Sequence, residues 1–173
     1  MLFDTVYQVK LDKDVLYYWS LYFRTLAEED KALANFYAAQ VFVNSPDKRF
    51  MISQQFNNEV AIDDVLKYAK TNKEKANVYL LAAIKKHDKS LEYIKKVYEY
   101  QSNFEGLSFL LLREVNKIED WVFTPYYSLF EPSVTTNSYW DNEENSITDV
   151  LKRVETDREY ASQLLDFINS VDL

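Results

Sequence analysis

The chain contains one glycine, Gly106, in 173 residues. Average usage is about 7%, so this sequence has almost no positions suited to a positive φ. Phosphate-binding loops and nucleotide fingerprints need several closely spaced glycines, and hairpin-rich folds depend on glycine turns. The sequence therefore predicts an all-α fold, with Asn, Asp and Ser at the corners between helices.

Helical periodicity runs through most of the chain. Apolar residues recur at three- and four-residue spacing, which predicts eight or nine helices in segments 13–27, 28–43, 44–56, 61–70, 72–87, 88–101, 105–121 and 145–171. Asp and Glu at 28–30 predict a tight turn between the first two helices. The apolar run at 107–112 predicts that segment 105–121 is the most buried helix. The last segment is either one long helix or two helices broken near Thr156 and Asp157.

The predicted helices fit a single domain. Apolar residues make up 47% of the sequence, enough for a substantial core. We expect one helical domain over residues 1–173, divided into a scaffold of antiparallel helix pairs (13–119), a long aromatic loop (120–146) and a C-terminal helix or helices (147–173).

Charge limits the classes of partner. The net charge of −8 and the pI near 4.8 argue against a general nucleic-acid binder. Residues 66–100 nevertheless hold nine Lys and four acidic residues, a net of +5, which leaves −13 for the rest. This asymmetry favours an acidic partner, pairing between repeats, or a solvated lysine-rich face.

The sequence also bears on location. No apolar run approaches the roughly 18 residues of a membrane span, and the first residues lack the pattern of a signal peptide. We expect a soluble protein of the cytoplasm or, if the chain comes from a longer exported protein, of the periplasm or a bacterial cell surface.

One helix pair carries a spaced set of small and aromatic residues: Leu16-x2-Trp19-Ser20-x2-Phe23, then Ala32-x3-Phe36-x2-Ala39, with Pro46 beyond. A weaker set follows: Ala76-x2-Tyr79, then Ser90-x3-Ile94-x2-Val97. This spacing resembles the tetratricopeptide repeat, closely over about 35 residues and loosely over another 35. The weaker set lacks the alanines and the proline, and residues 47–70 intervene. The alternative is an irregular helical bundle with one such hairpin.

The resemblance implies a repeat-like solenoid in which Phe23 and Phe36 fill the space between paired helices. It also implies a concave groove lined by the first helix of each pair. Matching the motif position by position places six residues on that groove: Tyr17, Leu21, Arg24, Lys70, Lys73 and Asn77. Lys73 and Asn77 are similar to the pair with which some such domains hold a peptide carboxylate, and an ordinary solvated face is the alternative.

Chemical motifs are sparse. The absence of cysteine removes thiolate zinc sites and cysteine nucleophiles. His87 is the single histidine, so a multi-histidine metal site is impossible, and "KKHDK" looks like a helix end. The acidic clusters lack the alternating pattern and central glycine of a calcium loop. We expect no catalytic site, cofactor or metal.

The segment DWVFTPYYSLFEPSVTTNSYW, residues 120–140, holds seven aromatic residues and two prolines. It predicts either a strap that packs over the core beside residues 107–112 through Trp121, Phe123, Tyr126 and Phe130, or a partly exposed binding surface. That surface would be centred on Tyr126, Tyr127, Tyr139 and Trp140.

The sequence as a whole favours a non-enzymatic module that binds a protein or a peptide, as part of a larger helical-repeat protein. The alternative is a carbohydrate- or small-molecule-binding domain that uses the aromatic segment 121–140.

Overall fold

The structure, a computed structural model, describes residues 15–127 and 147–171. Within these ranges it contains no strand and eight α-helices: α1 Val15–Ala27, α2 Lys31–Asn44, α3 Arg49–Ser53, α4 Ile62–Leu66, α5 Asn72–Lys85, α6 Leu91–Tyr100, α7 Leu107–Tyr127 and α8 Ile147–Ser170. A short 3-10 turn, Pro46–Lys48, leads into α3. The predicted all-α class is confirmed for the described residues.

Local sequence explains where several helices begin. Asp30 caps α2, because its Oδ1 accepts hydrogen bonds from the backbone N–H groups of Ala32 and Leu33 at 2.9 and 3.2 Å. Thr71 and Glu74 form a capping box at the start of α5, in which each side chain accepts a hydrogen bond from the other residue's backbone. The predicted turn at residues 28–30 is therefore confirmed.

The helices pack in a sequential order. The second helix packs against α1 and α5, α5 packs against α6, α6 against α7, and α7 against α8. α5 and α6 run antiparallel, because the Lys75 side chain reaches Tyr100 while that of Lys86 reaches Tyr93. This order is compatible with stacked helix pairs, and the repeat-like or solenoid arrangement stays a prediction.

The most buried helix is α5 rather than α7. Residues 76–83 of α5 are all buried and contribute to both of the apolar clusters that form the core. In α7, Phe109 and Leu112 are 56% and 60% exposed. The prediction for segment 105–121 was wrong because an unbroken apolar run places side chains around the whole helix, while only one side of α7 faces the core.

Helix α7 also extends further than predicted. Residues 120–127, assigned to the aromatic loop from the sequence, form its last two turns and include Pro125. Pro125 has no N–H to donate to the carbonyl oxygen of Trp121, and the helix ends two residues later. Residues 128–146 lie outside the described part of the chain, and the C-terminal segment is one helix up to Ser170.

None of the described helices is long and apolar enough to cross a membrane.

Candidate functional site

An open cavity of about 430 Å³ lies where the end of α2, the start of α3, α5 and the start of α7 meet. We call it the apolar groove. Its lining consists of Phe42, Val43, Arg49, Leu80, Ile84, Phe104, Glu105, Gly106 and Phe109. Only two of these residues, Arg49 and Glu105, are ionisable.

Arg49 fixes one wall of the apolar groove. Its Nε donates a hydrogen bond to the carbonyl oxygen of Phe42 at 3.0 Å, and its Nη2 donates to that of Val43 at 3.3 Å. These carbonyls belong to the last turn of α2, where no intrahelical donor is available. The guanidinium also lies 5.9 Å from the centre of the Phe42 ring. Arg49 therefore orients the end of α2 while its side chain stays exposed.

Gly106 allows the opposite wall to form. A Cβ atom at this position would lie 2.3 Å from Cε1 of Phe104, far inside van der Waals contact. A side chain at residue 106 would therefore force the Phe104 ring to move from its present position against the backbone just before α7. The single glycine of the chain thus serves the shape of the apolar groove.

Exposed apolar side chains continue beyond the groove. Phe109 lines it and is 56% exposed, and Leu112 lies almost one turn further along the same side of α7. Phe50, which follows Arg49 in α3, is 79% exposed. A cluster of exposed aromatic and aliphatic side chains beside a concave surface is typical of a binding region.

The groove predicted from the repeat resemblance needs correction at two positions. Leu21 and Asn77 are only 4% and 1% exposed, so they are part of the interior. Asn77 Nδ2 donates a hydrogen bond to Oε1 of Gln40 at 2.7 Å, which joins α5 to α2. The Asn77 amide is therefore not accessible to a peptide carboxylate, and the predicted clamp of Lys73 and Asn77 lacks one of its two donors.

The other four residues of that predicted groove remain accessible to different degrees. Tyr17 is half-buried and packs edge-on against Tyr18, whereas Lys70 and Lys73 are exposed. Arg24 is exposed and donates a hydrogen bond to the Tyr37 hydroxyl at 2.6 Å. Their role in binding a partner stays a prediction.

The aromatic side of α1 also differs from the repeat expectation. Phe23, expected between the paired helices, is 59% exposed, and Trp19 stacks on it with ring centres 5.6 Å apart. Tyr18, Leu21 and Tyr22 face the core instead. The motif spacing correctly predicted that Trp19 and Phe23 lie on one side of α1. That side faces away from the core.

The aromatic segment divides between interior and surface. Trp121 is 3% exposed and lies 6.4 Å from the Tyr160 ring, as the strap hypothesis expected, whereas Phe123 is 51% exposed. Tyr126 and Tyr127 lie in the last turn of α7. Tyr139 and Trp140 lie outside the described residues, so a binding surface there stays a prediction.

A buried polar cluster, which the sequence did not predict, joins α6, α7 and α8. Glu114 accepts hydrogen bonds from the Ser90 N–H at 2.9 Å, from the Ser90 hydroxyl at 2.5 Å and from the Tyr160 hydroxyl. Lys117 Nζ lies 2.5 Å from Glu114 Oε2 and donates to the carbonyl oxygen of Asp88 at 2.7 Å. The spacing Glu-x2-Lys in α7 is the one signal that sequence alone offers.

Electrostatics fixes the charge states of this cluster. Burial alone would raise the pKa of Glu114, but the hydrogen bonds donated by Lys117, Ser90 and Tyr160 outweigh it and lower that pKa. Burial and the hydrogen bond to Glu114 raise the pKa of Tyr160 far above its ordinary value. Glu114 is therefore an anion that accepts hydrogen bonds from Ser90, Lys117 and Tyr160, and Tyr160 is a neutral donor to it.

Ser90 and Lys117 resemble a nucleophile and its base, because Lys117 Nζ lies 3.0 Å from Ser90 Oγ. The two residues are only 2% and 4% exposed, and neither lines the apolar groove. Within the described part of the chain these buried contacts join α6, α7 and α8. No group of side chains suited to hold a metal ion occurs among residues 15–127 and 147–171.

In comparisons with known proteins, no family model matches the chain, and no curated protein or solved structure is significantly similar to it. The resemblance to tetratricopeptide repeats therefore depends on residue spacing alone. The apolar groove has to be interpreted from its own residues and geometry.

Proposed function

We propose that this chain is a non-enzymatic interaction module that binds an apolar segment of a protein partner in the apolar groove. The observation that carries the proposal is the combination of a 430 Å³ open cavity with a lining of Phe, Leu, Ile and Val side chains. Burial of apolar surface is the main favourable term in most protein association. The two ionisable residues of the groove, Arg49 and Glu105, would orient the bound segment.

The exposed side chains favour a peptide over a compact small molecule. The cavity volume suits either class of ligand, but the apolar surface continues past the cavity from Phe109 to Leu112 along α7. An amphipathic helix or an extended segment can place one anchor in the cavity and a second one on the neighbouring turn. The alternative, a carbohydrate or small-molecule site in segment 121–140, gains no such support from the described residues.

The outer face of α1 supports the further proposal that the chain belongs to a larger helical-repeat protein. Trp19, Phe23 and Leu26 are 40%, 59% and 48% exposed and lie on one side of the helix. A repeat unit buries such a face by stacking against the next helix pair.

Peptide selection tests the proposed function. Peptides of twelve residues displayed on phage would be selected on the immobilised chain, and the binders synthesised for affinity measurements. Phe109→Asp should weaken the selected peptides at least about tenfold, because an aromatic anchor at the centre of an interface contributes about 2 kcal/mol or more.

Leu165→Asp provides the matched control. Leu165 is 57% exposed, as Phe109 is, but it lies on α8 and does not line the groove. Its variant should bind the same peptides within about twofold, as expected for a residue outside the interface. Equal losses in the two variants, or no loss in either, would count against the groove as the binding site.

A further inference from the structure

Two lysines and three tyrosines form a continuous face on the antiparallel pair α5 and α6. This lysine–tyrosine face consists of Lys75, Tyr79, Lys86, Tyr93 and Tyr100. Tyr79 lies at its centre, 5.7 Å from the Tyr93 ring and 6.0 Å from the Tyr100 ring. Lys75 lies at one end, over Tyr100, and Lys86 lies at the other, over Tyr93.

The tyrosine rings hold the two lysine side chains in place. Lys75 Nζ is 5.3 Å from the centre of the Tyr100 ring, and Lys86 Nζ is 4.9 Å from that of Tyr93. Both lysines are half-buried. Because their stems are already ordered against aromatic surface, less side-chain entropy is lost when the ammonium groups bind a ligand.

Neither of these two ammonium groups has a carboxylate partner among residues 15–127 and 147–171, unlike several other lysines of the same segment. Lys67 is paired with Asp64 at 2.6 Å, and Lys95 with Glu92 at 2.8 Å. Lys96, which lies near Tyr79, is paired with Glu99 at 2.6 Å. Lys75 and Lys86 therefore retain an unneutralised charge inside a segment whose net charge is +5.

We propose that the lysine–tyrosine face binds an acidic segment of a protein partner, with one carboxylate at Lys75 and another at Lys86. Lys75 lies in the first turns of α5 and Lys86 directly follows its last residue, so the two Cα atoms are about 16 Å apart along the helix axis. An extended peptide covers that distance in about five residues. The face thus selects acidic residues at a spacing of about five in an extended segment.

A protein segment fits this face better than a nucleic acid does. Single-stranded nucleic acids bind through bases that stack on free aromatic ring faces. In this face the rings pack against one another, with Tyr79 and Tyr100 stacked at an interplanar angle of 19°, and lysine side chains cover Tyr93 and Tyr100. Tyr79 is itself only 8% exposed, so the ammonium groups of Lys75 and Lys86 are the groups that would meet a ligand, and they suit carboxylates.

The lysine–tyrosine face is separate from the apolar groove. Leu80 and Ile84, which line the groove, lie about 140° and 180° around α5 from Lys75. The proposal therefore stands or fails independently of the groove, and it adds a second surface of opposite chemical character to the same helix.

The test measures binding of a fluorescein-labelled peptide to the full chain by fluorescence anisotropy at low ionic strength. The probe is a twelve-residue Ala/Ser peptide with two Glu–Glu doublets whose first residues are five positions apart. A second peptide of the same composition carries its four Glu residues together. The spaced peptide should bind at least about threefold more tightly, because only it reaches both lysines.

Two double variants with the same change in net charge identify the site. Lys75→Gln with Lys86→Gln should weaken the spaced peptide about tenfold, since each exposed ion pair is worth up to about fivefold. Lys67→Gln with Lys95→Gln, which removes two lysines already paired with carboxylates, should change the affinity less than about twofold. Circular dichroism would confirm that both double variants keep the helix content of the unmodified chain.

Several outcomes would overturn the proposal. Equal losses in the two double variants would mean that only overall charge matters. Absence of peptide binding at low ionic strength, or no preference for the spaced peptide, would also contradict it. Equally tight, lysine-dependent binding of a twelve-nucleotide single-stranded RNA would assign the face to nucleic acid. Self-association that is lost in the Lys75/Lys86 variant, measured by sedimentation, would assign it to a second copy of the chain.

Discussion

The carboxylate of Glu114 lies 2.5 Å from the ammonium of Lys117, and both side chains are almost fully buried at the junction of α6, α7 and α8. Glu114→Gln should lower the free energy of unfolding by about 3 kcal/mol, because it leaves the Lys117 charge buried without its partner. Chemical denaturation followed by circular dichroism measures this change.

Glu92→Gln is the control for that substitution. Glu92 also pairs with a lysine three residues away, but its side chain is 80% exposed. The control should change the free energy of unfolding by less than about 0.5 kcal/mol. If the two variants were equally stable, the buried cluster would have no special role in holding α8 on the scaffold.

Lowering the pH should reduce the stability that the same buried cluster contributes. The pKa of Glu114 in the folded chain lies below its ordinary value of 4.5. The unfolded chain therefore binds protons first as the pH falls, and the stabilisation by Glu114 is fully present above about 4.5 and is lost below it. The difference in stability between the unmodified chain and Glu114→Gln should therefore shrink between about pH 5 and pH 3. A difference that stays constant over this range would contradict the lowered pKa.

Gly106→Ala should disturb the apolar groove. The added methyl group would lie 2.3 Å from the Phe104 ring, which has to move away from the start of α7. We expect a loss of about 1–2 kcal/mol in the free energy of unfolding, typical of overpacking, together with weaker binding of groove-selected peptides. Ser102→Ala, an exposed substitution in the same loop, should do neither. Unchanged stability and binding in Gly106→Ala would show that Phe104 is not fixed by the glycine.

Asn77→Ala distinguishes a structural amide from a ligand-binding one. The substitution removes the donor that reaches Gln40 at 2.7 Å and leaves that acceptor without a partner, but it also removes the buried Asn77 Oδ1, which accepts no hydrogen bond among the described residues. We therefore expect a cost of about 1 kcal/mol. Asn72→Ala, an exposed change at the start of the same helix, should cost less than about 0.5 kcal/mol. If Asn77→Ala kept full stability but lost peptide binding, the carboxylate clamp predicted from the sequence would be correct after all.

Local patterns in the sequence predicted most of the helices. Most predicted segments contain a helix close to the predicted bounds, and the turn that Asp30 ends by capping α2 is confirmed. Such features depend on neighbours within about four residues, which the sequence shows directly. The end of α7 was missed because Pro125 normally indicates that a helix has already ended.

The candidate sites depend on contacts that periodicity does not contain. The apolar groove brings Phe42 near Phe109, 67 positions apart in the sequence. The buried cluster joins Ser90 to Tyr160 through Glu114. Whether a half-apolar helix such as α1 turns Phe23 inward or outward depends on which neighbours cover it, so the aromatic stripe was predicted but the expected inward direction of Phe23 was wrong.

The central claim, that the apolar groove binds an apolar segment of a protein partner, is tested most directly by NMR with methyl-labelled Ile, Leu and Val. A phage-selected peptide would be titrated into the labelled chain. The account predicts that the methyl signals of Val43, Leu80 and Ile84 shift on binding, while those of Leu151 and Leu165 on α8 do not. Shifts confined to α8, with the three groove residues unchanged, would contradict it.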